Sequence, residues 1–175
     1  MNTTVIGLFS STKQVSASIQ KLENVGINAE QMSLITSDKI DKDSFEITTN
    51  TKIPEAAGVG AIAGGSLGLI VGGLSAIGSV ATGGVGLLAS GPIVAALTGG
   101  AFGAEGGGML GAVLGIAMPD TDQQAIIDEL EKGGALVCVE CTSNEVSEVT
   151  ETLKSQQANK VEKVSHAELE KIKGH

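Results

Sequence analysis

A chain of 175 residues with 25 glycines, no Trp, no Tyr and a formal net charge of −9 has room for one ordinary domain and one extra element, not for two full domains. The acidic balance repels phosphate backbones and no basic run opposes it, which argues against nucleic acid as a partner; the scarcity of aromatics argues against stacking platforms and aromatic ligand cages. Two cysteines, Cys138 and Cys141, are too few for a disulfide framework and suit a reducing compartment.

The first residues, Met1 to Phe9, carry no basic region, long apolar run or cleavage pattern of a secretory signal, so the polar parts are expected to face the cytoplasm. Val5-Ile-Gly-Leu-Phe9 has the length and composition of a strand. Ser10 and Ser11 follow as candidate N-caps for a helix carrying Val15, Ile19 and Leu22, which Gly26 ends. Met32-Ser-Leu-Ile-Thr36 reads as a second strand and completes a βαβ unit. Ser37 to Pro54 is polar and mostly loop, although Phe45-Glu-Ile-Thr-Thr49 has the composition of an edge strand.

Ala56 to Met118 is a different kind of sequence, with Glu105 as its one charged side chain. Glycine recurs at every fourth position as Gly60, Gly64, Gly68 and Gly72, and again as Gly99, Gly103, Gly107, Gly111 and Gly115. A spacing of four keeps each set on one helical stripe that drifts slowly around the axis. Each glycine costs a helix about 1 kcal/mol against alanine, so two such rows call for a surface on which backbones touch without side chains between them. The reading is two helices, Ala57 to Leu74 and Pro92 to Ala117, joined through Ser75 to Gly91 as a turn or a short broken helix. The first would be about 27 Å long, enough to cross a hydrocarbon core. Both ends of the insert lead into one sheet, so a membrane would be crossed an even number of times or entered by a re-entrant hairpin. Against this stand the lack of an aromatic belt and the sparse flanking positive charge, with Lys52 the one nearby cation on the entry side. Two arrangements therefore stay open: contact with a lipid bilayer, or burial of the hairpins between subunits of a soluble homo-oligomer. Either one requires assembly, because an isolated hairpin leaves its apolar surface uncovered.

Beyond the insert, Asp120 and Thr121 are candidate caps for a helix with Ile126, Ile127 and Leu130, ended by Gly133 and Gly134. Ala135-Leu-Val-Cys-Val-Glu140 is then a strand, Ser143 a cap for a helix with Val146, Val149 and Leu153, and Lys160-Val-Glu-Lys-Val164 a closing strand. An offset of 131 lays Val5–Phe9 on Leu136–Glu140, Val15 on Val146 and Leu22 on Leu153, so the outer parts read as two copies of one βαβ unit. Two such units make an α+β, ferredoxin-like fold with a four-stranded antiparallel sheet, the first strand of each half in the centre. The expected segments are 1–54 for the first half and a polar linker, 55–119 for the glycine-zipper hairpin, 120–165 for a helix and the second half, and 166–175 for a polar tail.

The layout resembles the bacterial heat-induced and general stress protein family. The motifs that carry the likeness are the opening strand with its Ser/Thr-rich turn, Leu-Glu-Asn-Val-Gly-Ile at Leu22–Ile27, the zipper insert, Gly-Ile-Ala-Met-Pro at 115–119 and Gly-Gly-Ala-Leu-Val at 133–137. The resemblance spans nearly the whole chain, rests on composition and position, and implies a stress-linked, non-enzymatic role with no catalytic residues to carry over.

Candidate chemistry is sparse. Cys138-Val-Glu-Cys141 has C-x-x-C spacing, but on a strand a separation of three sends the two sulfurs to opposite faces, and buried apolar packing is the plainer role; Cys141, beside a helix N-terminus, is the more reactive candidate. Glu105 lies roughly opposite the glycine stripe on a helical wheel, with Phe102, Met109 and Ile116, and is a candidate intramembrane, pore-lining or inter-subunit carboxylate. His166 and His175 sit in the polar tail at no metal-ligand spacing, and no P-loop, dinucleotide fingerprint or nucleophile-base pattern occurs. No cofactor, metal or catalytic residue is expected. The function expected is a stress-associated protein that self-assembles through its zipper helices and associates with the cytoplasmic side of the inner membrane; the alternative is a soluble cytoplasmic homo-oligomer that serves as a regulatory or ligand-binding module.

Overall fold

In the computed structural model the residues described are 3–45, 65–77, 86–92, 123–165 and 167. They form strands β1 (Thr3–Phe9), β2 (Met32–Ser37), β3 (Ser75–Ile77), β4 (Leu87–Ser90), β5 (Ala135–Cys141) and β6 (Lys160–Ser165). The helices are α1 (Thr12–Asn24), α2 (Gly65–Gly72), α3 (Gln123–Glu131) and α4 (Val146–Ser155), with single 3-10 turns at Ala29–Gln31 and Lys42–Ser44.

The strands make one antiparallel sheet in the order β3-β4-β2-β5-β1-β6. The α+β class with an antiparallel sheet holds, but the sheet has six strands where the sequence suggested four. Ser75–Gly91, read as a turn or a broken helix, supplies the extra two as a hairpin paired to the outer edge of β2, with Leu34 opposite Ser90 and Ser37 opposite Leu87. That edge is therefore occupied by β4. Phe45 follows the second 3-10 turn with its side chain fully buried, and residues 46–49 lie outside the described set.

α1 forms where Val15, Ile19 and Leu22 fall on one face, all fully buried. Ser11 is its N-cap: the hydroxyl accepts from the Gln14 backbone N–H at 3.4 Å. At the other end Gly26 takes φ +95°, and Ile27 N donates to Leu22 O at 3.0 Å, the left-handed closure that favours glycine. α4 differs from expectation at its start. Its N-cap is Glu145, not Ser143, and the Glu145 carboxylate reaches back to accept from the Thr142 backbone N–H and hydroxyl, both at 2.7 Å.

One face of the sheet packs under α1, α2 and α4. Val5, Phe9, Met32, Leu34, Val137, Val139 and Cys141 form a single core with Val15, Ile19, Leu22, Leu67, Ile70, Val71, Val149 and Leu153. Ile6, Leu8, Ile35, Leu136 and Cys138 are buried on the opposite face, where Ile126 and Leu130 of α3 are also buried and α3 contacts β2 and β5. The repeat offset of 131 thus fails in the strands. Val5 and Leu136 point to opposite faces, and Val5 matches Val137 instead, an offset one residue longer. A strand alternates with period two, so one residue of slip inverts every side chain, whereas a helix tolerates it. In the helices the pairing of Val15 with Val146 and Leu22 with Leu153 brings inward positions together.

The apolar stretch is partly built into this domain. α2 lies against α1 and β2, with Leu67, Ile70 and Val71 in the core. Gly65, where α2 begins, has φ +57°, and residues 57–64 of the helix expected over Ala57–Leu74 lie outside the described set. The domain holds both ends of α2 with charged side chains. Glu23 of α1 accepts from the Ser66 N–H at 3.2 Å, and a Cβ on Gly65 would lie 2.6 Å from the same carboxylate oxygen. Lys42 donates to the Leu74 carbonyl at 2.8 Å. An acid at the N-terminus and a base at the C-terminus complement the helix dipole.

Candidate functional site

Of the nine zipper glycines, Gly68 and Gly72 lie among the described residues, Gly68 buried within α2 and Gly72 exposed at its end. Gly60, Gly64, Gly99, Gly103, Gly107, Gly111 and Gly115 lie outside the described residues, as do Glu105, His166 and His175. Pro92 is described, and the remainder of the expected second helix is likewise outside the described residues. Among the described residues no helix is long and apolar enough to cross a membrane.

The two thiols are placed as the strand spacing implies, Cys138 on one face of β5 and Cys141 on the other. Both are buried, and desolvation pushes each pKa up to about 12; for Cys141 the carboxylates of Glu145 and Glu140 add to the effect, while a hydrogen bond from the Val5 backbone opposes it. Cys141 Sγ also donates to the Val139 carbonyl at 3.4 Å. Proximity to the α4 N-terminus therefore does not make Cys141 reactive, because burial outweighs it. In the folded protein at pH 8 iodoacetamide should label neither thiol over an hour, and in denaturant both; rapid labelling of Cys141 under native conditions would show that the β5 end opens.

The Glu145 carboxyl is held below the ordinary carboxylate range, first by the Thr142 backbone N–H and then by its hydroxyl. These bonds close an exposed turn ahead of α4. At the far end of the sheet Lys39 bonds Glu131 at 2.6 Å, which ties the end of β2 to the end of α3 and raises the lysine pKa. No group of three or more His, Cys, Asp or Glu side chains with metal-binding geometry occurs among the described residues.

Among the described residues, a groove of about 260 Å³ lies between the first 3-10 turn, α2 and the end of β4. Ala29 and Glu30 come from the turn, Leu69, Ile70 and Gly73 from the α2 side, and Ser90, Gly91 and Pro92 from the segment that leaves β4. Leu69 is 63% exposed, the large apolar side chain left open among the described residues. Gly91 makes the groove possible. It sits at φ +106°, and a Cβ there would lie 2.3 Å from the Met32 carbonyl oxygen, so the chain turns tightly against β2 and puts Pro92 on the rim. Ser90 shares its sheet face with Leu34 under α2, and its Oγ is buried with no hydrogen-bond partner among the described residues. A buried hydroxyl left in that state costs about 1–3 kcal/mol.

The sequence marked none of these groove residues as part of a site; Pro92 was read only as a helix start. The signal available was the dipeptide Gly91-Pro92, which marks a turn as well as a helix start. Its setting in a glycine-rich apolar run favoured the helical reading. No protein-family model matches the chain, and no curated protein or solved structure matches it.

Proposed function

We propose that this chain is a non-enzymatic, self-assembling structural protein: a ferredoxin-like domain that carries apolar, glycine-spaced arms and brings them together with the arms of other copies at a membrane surface. The carrying observation is the stretch from Ala56 to Met118, with one charge and two rows of glycine at helix-stripe spacing. No ordinary surface loop of a soluble monomer leaves so much apolar chain without a partner. The ferredoxin-like reading is supported by the inner strand order β2-β5-β1-β6, with α1 and α4 packed on one face. In that reading β3 and β4 extend the sheet past β2, and α2 is an added third helix on the same face.

The arms are anchored to rigid elements. α2 is clamped by Glu23 and Lys42, β4 is paired to β2, and α3 contacts β2 and β5. Anchoring lowers the entropy lost when two copies align their arms. The resemblance to bacterial heat-induced and general stress proteins supports stress protection as its setting. Fractionation of cells making the native chain tests the membrane contact: the protein should sediment with membranes, resist a salt wash and be released by mild detergent. Full recovery in the soluble fraction without bound lipid would remove it.

A specific observation favours a second reading, a soluble homo-oligomer in which the arms are buried between subunits. Leu67, Ile70, Val71 and Leu74 belong to the apolar stretch, yet they pack into the domain's own core. The same sequence type can thus be covered by protein, and in that case the detergent step would change nothing while the assembly persisted.

A further inference from the structure

Among the described residues β6 is an outer strand of the sheet, paired to β1 on one side and to no strand on the other. An open edge is a template for any extended chain, and lysine is a common guard against such pairing. β6 carries that guard as Lys160 and Lys163, but with Glu162 between them. Lys160 and Glu162 lie on the face of their β1 partners Leu8 and Ile6, 3.6 Å apart as an ion pair and both partly exposed. Val161 lies on the other face, opposite Gly7 and half-buried against the core.

We propose that the β6 edge pairs with the β6 edge of a second copy, antiparallel about a two-fold axis through Val161, so that the two sheets join into one. Charge selects both the occupant and the register. A two-fold axis normal to the sheet preserves its faces, so a residue can stand opposite only a residue of the same face. With the axis at Val161, Lys160 of each copy meets Glu162 of the other, Val161 meets Val161, and Lys163 meets Asn159. Together with the pair inside each strand, the two lysines and two glutamates form a rectangle of alternating sign in which every side attracts. An axis one residue along sets Glu162 against Glu162, and the next sets Lys163 against Lys163; like charges directly opposite are destabilising. The lysines that repel other chains therefore admit this one. Asn159 already runs beside β1, its N–H donating to Leu8 O at 2.7 Å, so residues 159–163 of both copies can align. That stretch is short, and the inference rests on the self-assembly proposed above, in which the arms raise the local concentration of a second edge.

Disulfide trapping on the full chain in mild detergent tests it, with Cys138 and Cys141 buried and out of the reaction. Val161→Cys puts two thiols on the axis, within reach of a disulfide. Lys163→Cys puts them about 13 Å apart along the strands, at about 3.3 Å per residue, beyond that reach. Oxidation should link Val161→Cys into a dimer at least about tenfold faster than Lys163→Cys. Adding Glu162→Lys to Val161→Cys should slow linkage about tenfold, because lysine then faces lysine. Adding Lys160→Glu to that chain should restore the rate, since the alternation returns with its signs exchanged. Equal rates at positions 161 and 163, or a charge exchange that fails to restore linkage, would overturn the proposal. A native oligomer in sedimentation with no linkage at position 161 would remove the edge pairing and leave the self-assembly standing. Linkage at position 161 in a chain whose Gly103→Leu/Gly107→Leu form keeps its oligomer would uphold the edge and count against the zipper helices.

Discussion

Leu67→Ala is expected to destabilise the domain by about 3 kcal/mol in equilibrium denaturation, although Leu67 lies within the glycine-rich apolar stretch. Its side chain is fully buried in the core that α2 shares with α1, β2 and α4. Truncation removes apolar burial and leaves a cavity that the clamped ends of α2 keep from collapsing. Leu69, two residues on and 63% exposed, provides the internal control: Leu69→Ala should change stability by less than about 0.5 kcal/mol. Equal small effects at both positions would mean that α2 is not part of the folded core. Equal large effects would mean that Leu69 is covered in solution.

Gly91→Ala is expected to cost about 3–4 kcal/mol and to lower the melting temperature by roughly 10 °C. Two terms add. The left-handed φ of +106° is strained for any residue with a Cβ, and the added carbon would meet the Met32 carbonyl, Ser33 Oγ and Ser33 Cα at 2.3, 2.5 and 2.6 Å. Two of those atoms are backbone of a central strand and cannot move without breaking its pairing. Gly26→Ala separates the terms, since Gly26 has a positive φ but open space around its Cβ position; it should cost about 1 kcal/mol. A Gly91→Ala variant no less stable than Gly26→Ala would contradict the tight turn against β2.

The outer halves of the fold were legible in the sequence because each element carried its own signal. Val15, Ile19 and Leu22 repeat at helical spacing, Ser11 and Gly26 mark the ends of that helix, and Gly133 stops α3 in a left-handed conformation. Short strands inside an apolar run carried no such signal. Ser75–Ile77 and Leu87–Ser90 are three and four residues long, too short for alternation to register, and they exist because β2 offers an unpaired edge. The one-residue difference between strand and helix offsets was hidden for a related reason. β1 and β5 are apolar on both faces, so either register satisfies the hydrophobic pattern, and the packing of Phe9 and Cys141 on the α1 face decides between them. Glu145 and not Ser143 precedes α4, and its carboxylate closes the turn back to the Thr142 N–H and hydroxyl without bonding a helix N–H. The groove was illegible for a simpler reason: it joins residues from three separate segments, and neither Ser90 nor Leu69 has a local pattern that marks it.

Self-assembly through bare helix surfaces is tested most directly by sedimentation velocity on the native chain and on a Gly103→Leu/Gly107→Leu variant, both purified in the same mild detergent. These glycines are preferred to Gly68, whose burial in α2 would confuse loss of assembly with loss of fold. The native chain should sediment as a defined oligomer, and the variant as a monomer that retains the domain's native denaturation midpoint. A variant that keeps the native oligomer would show that the glycine rows hold no copies together.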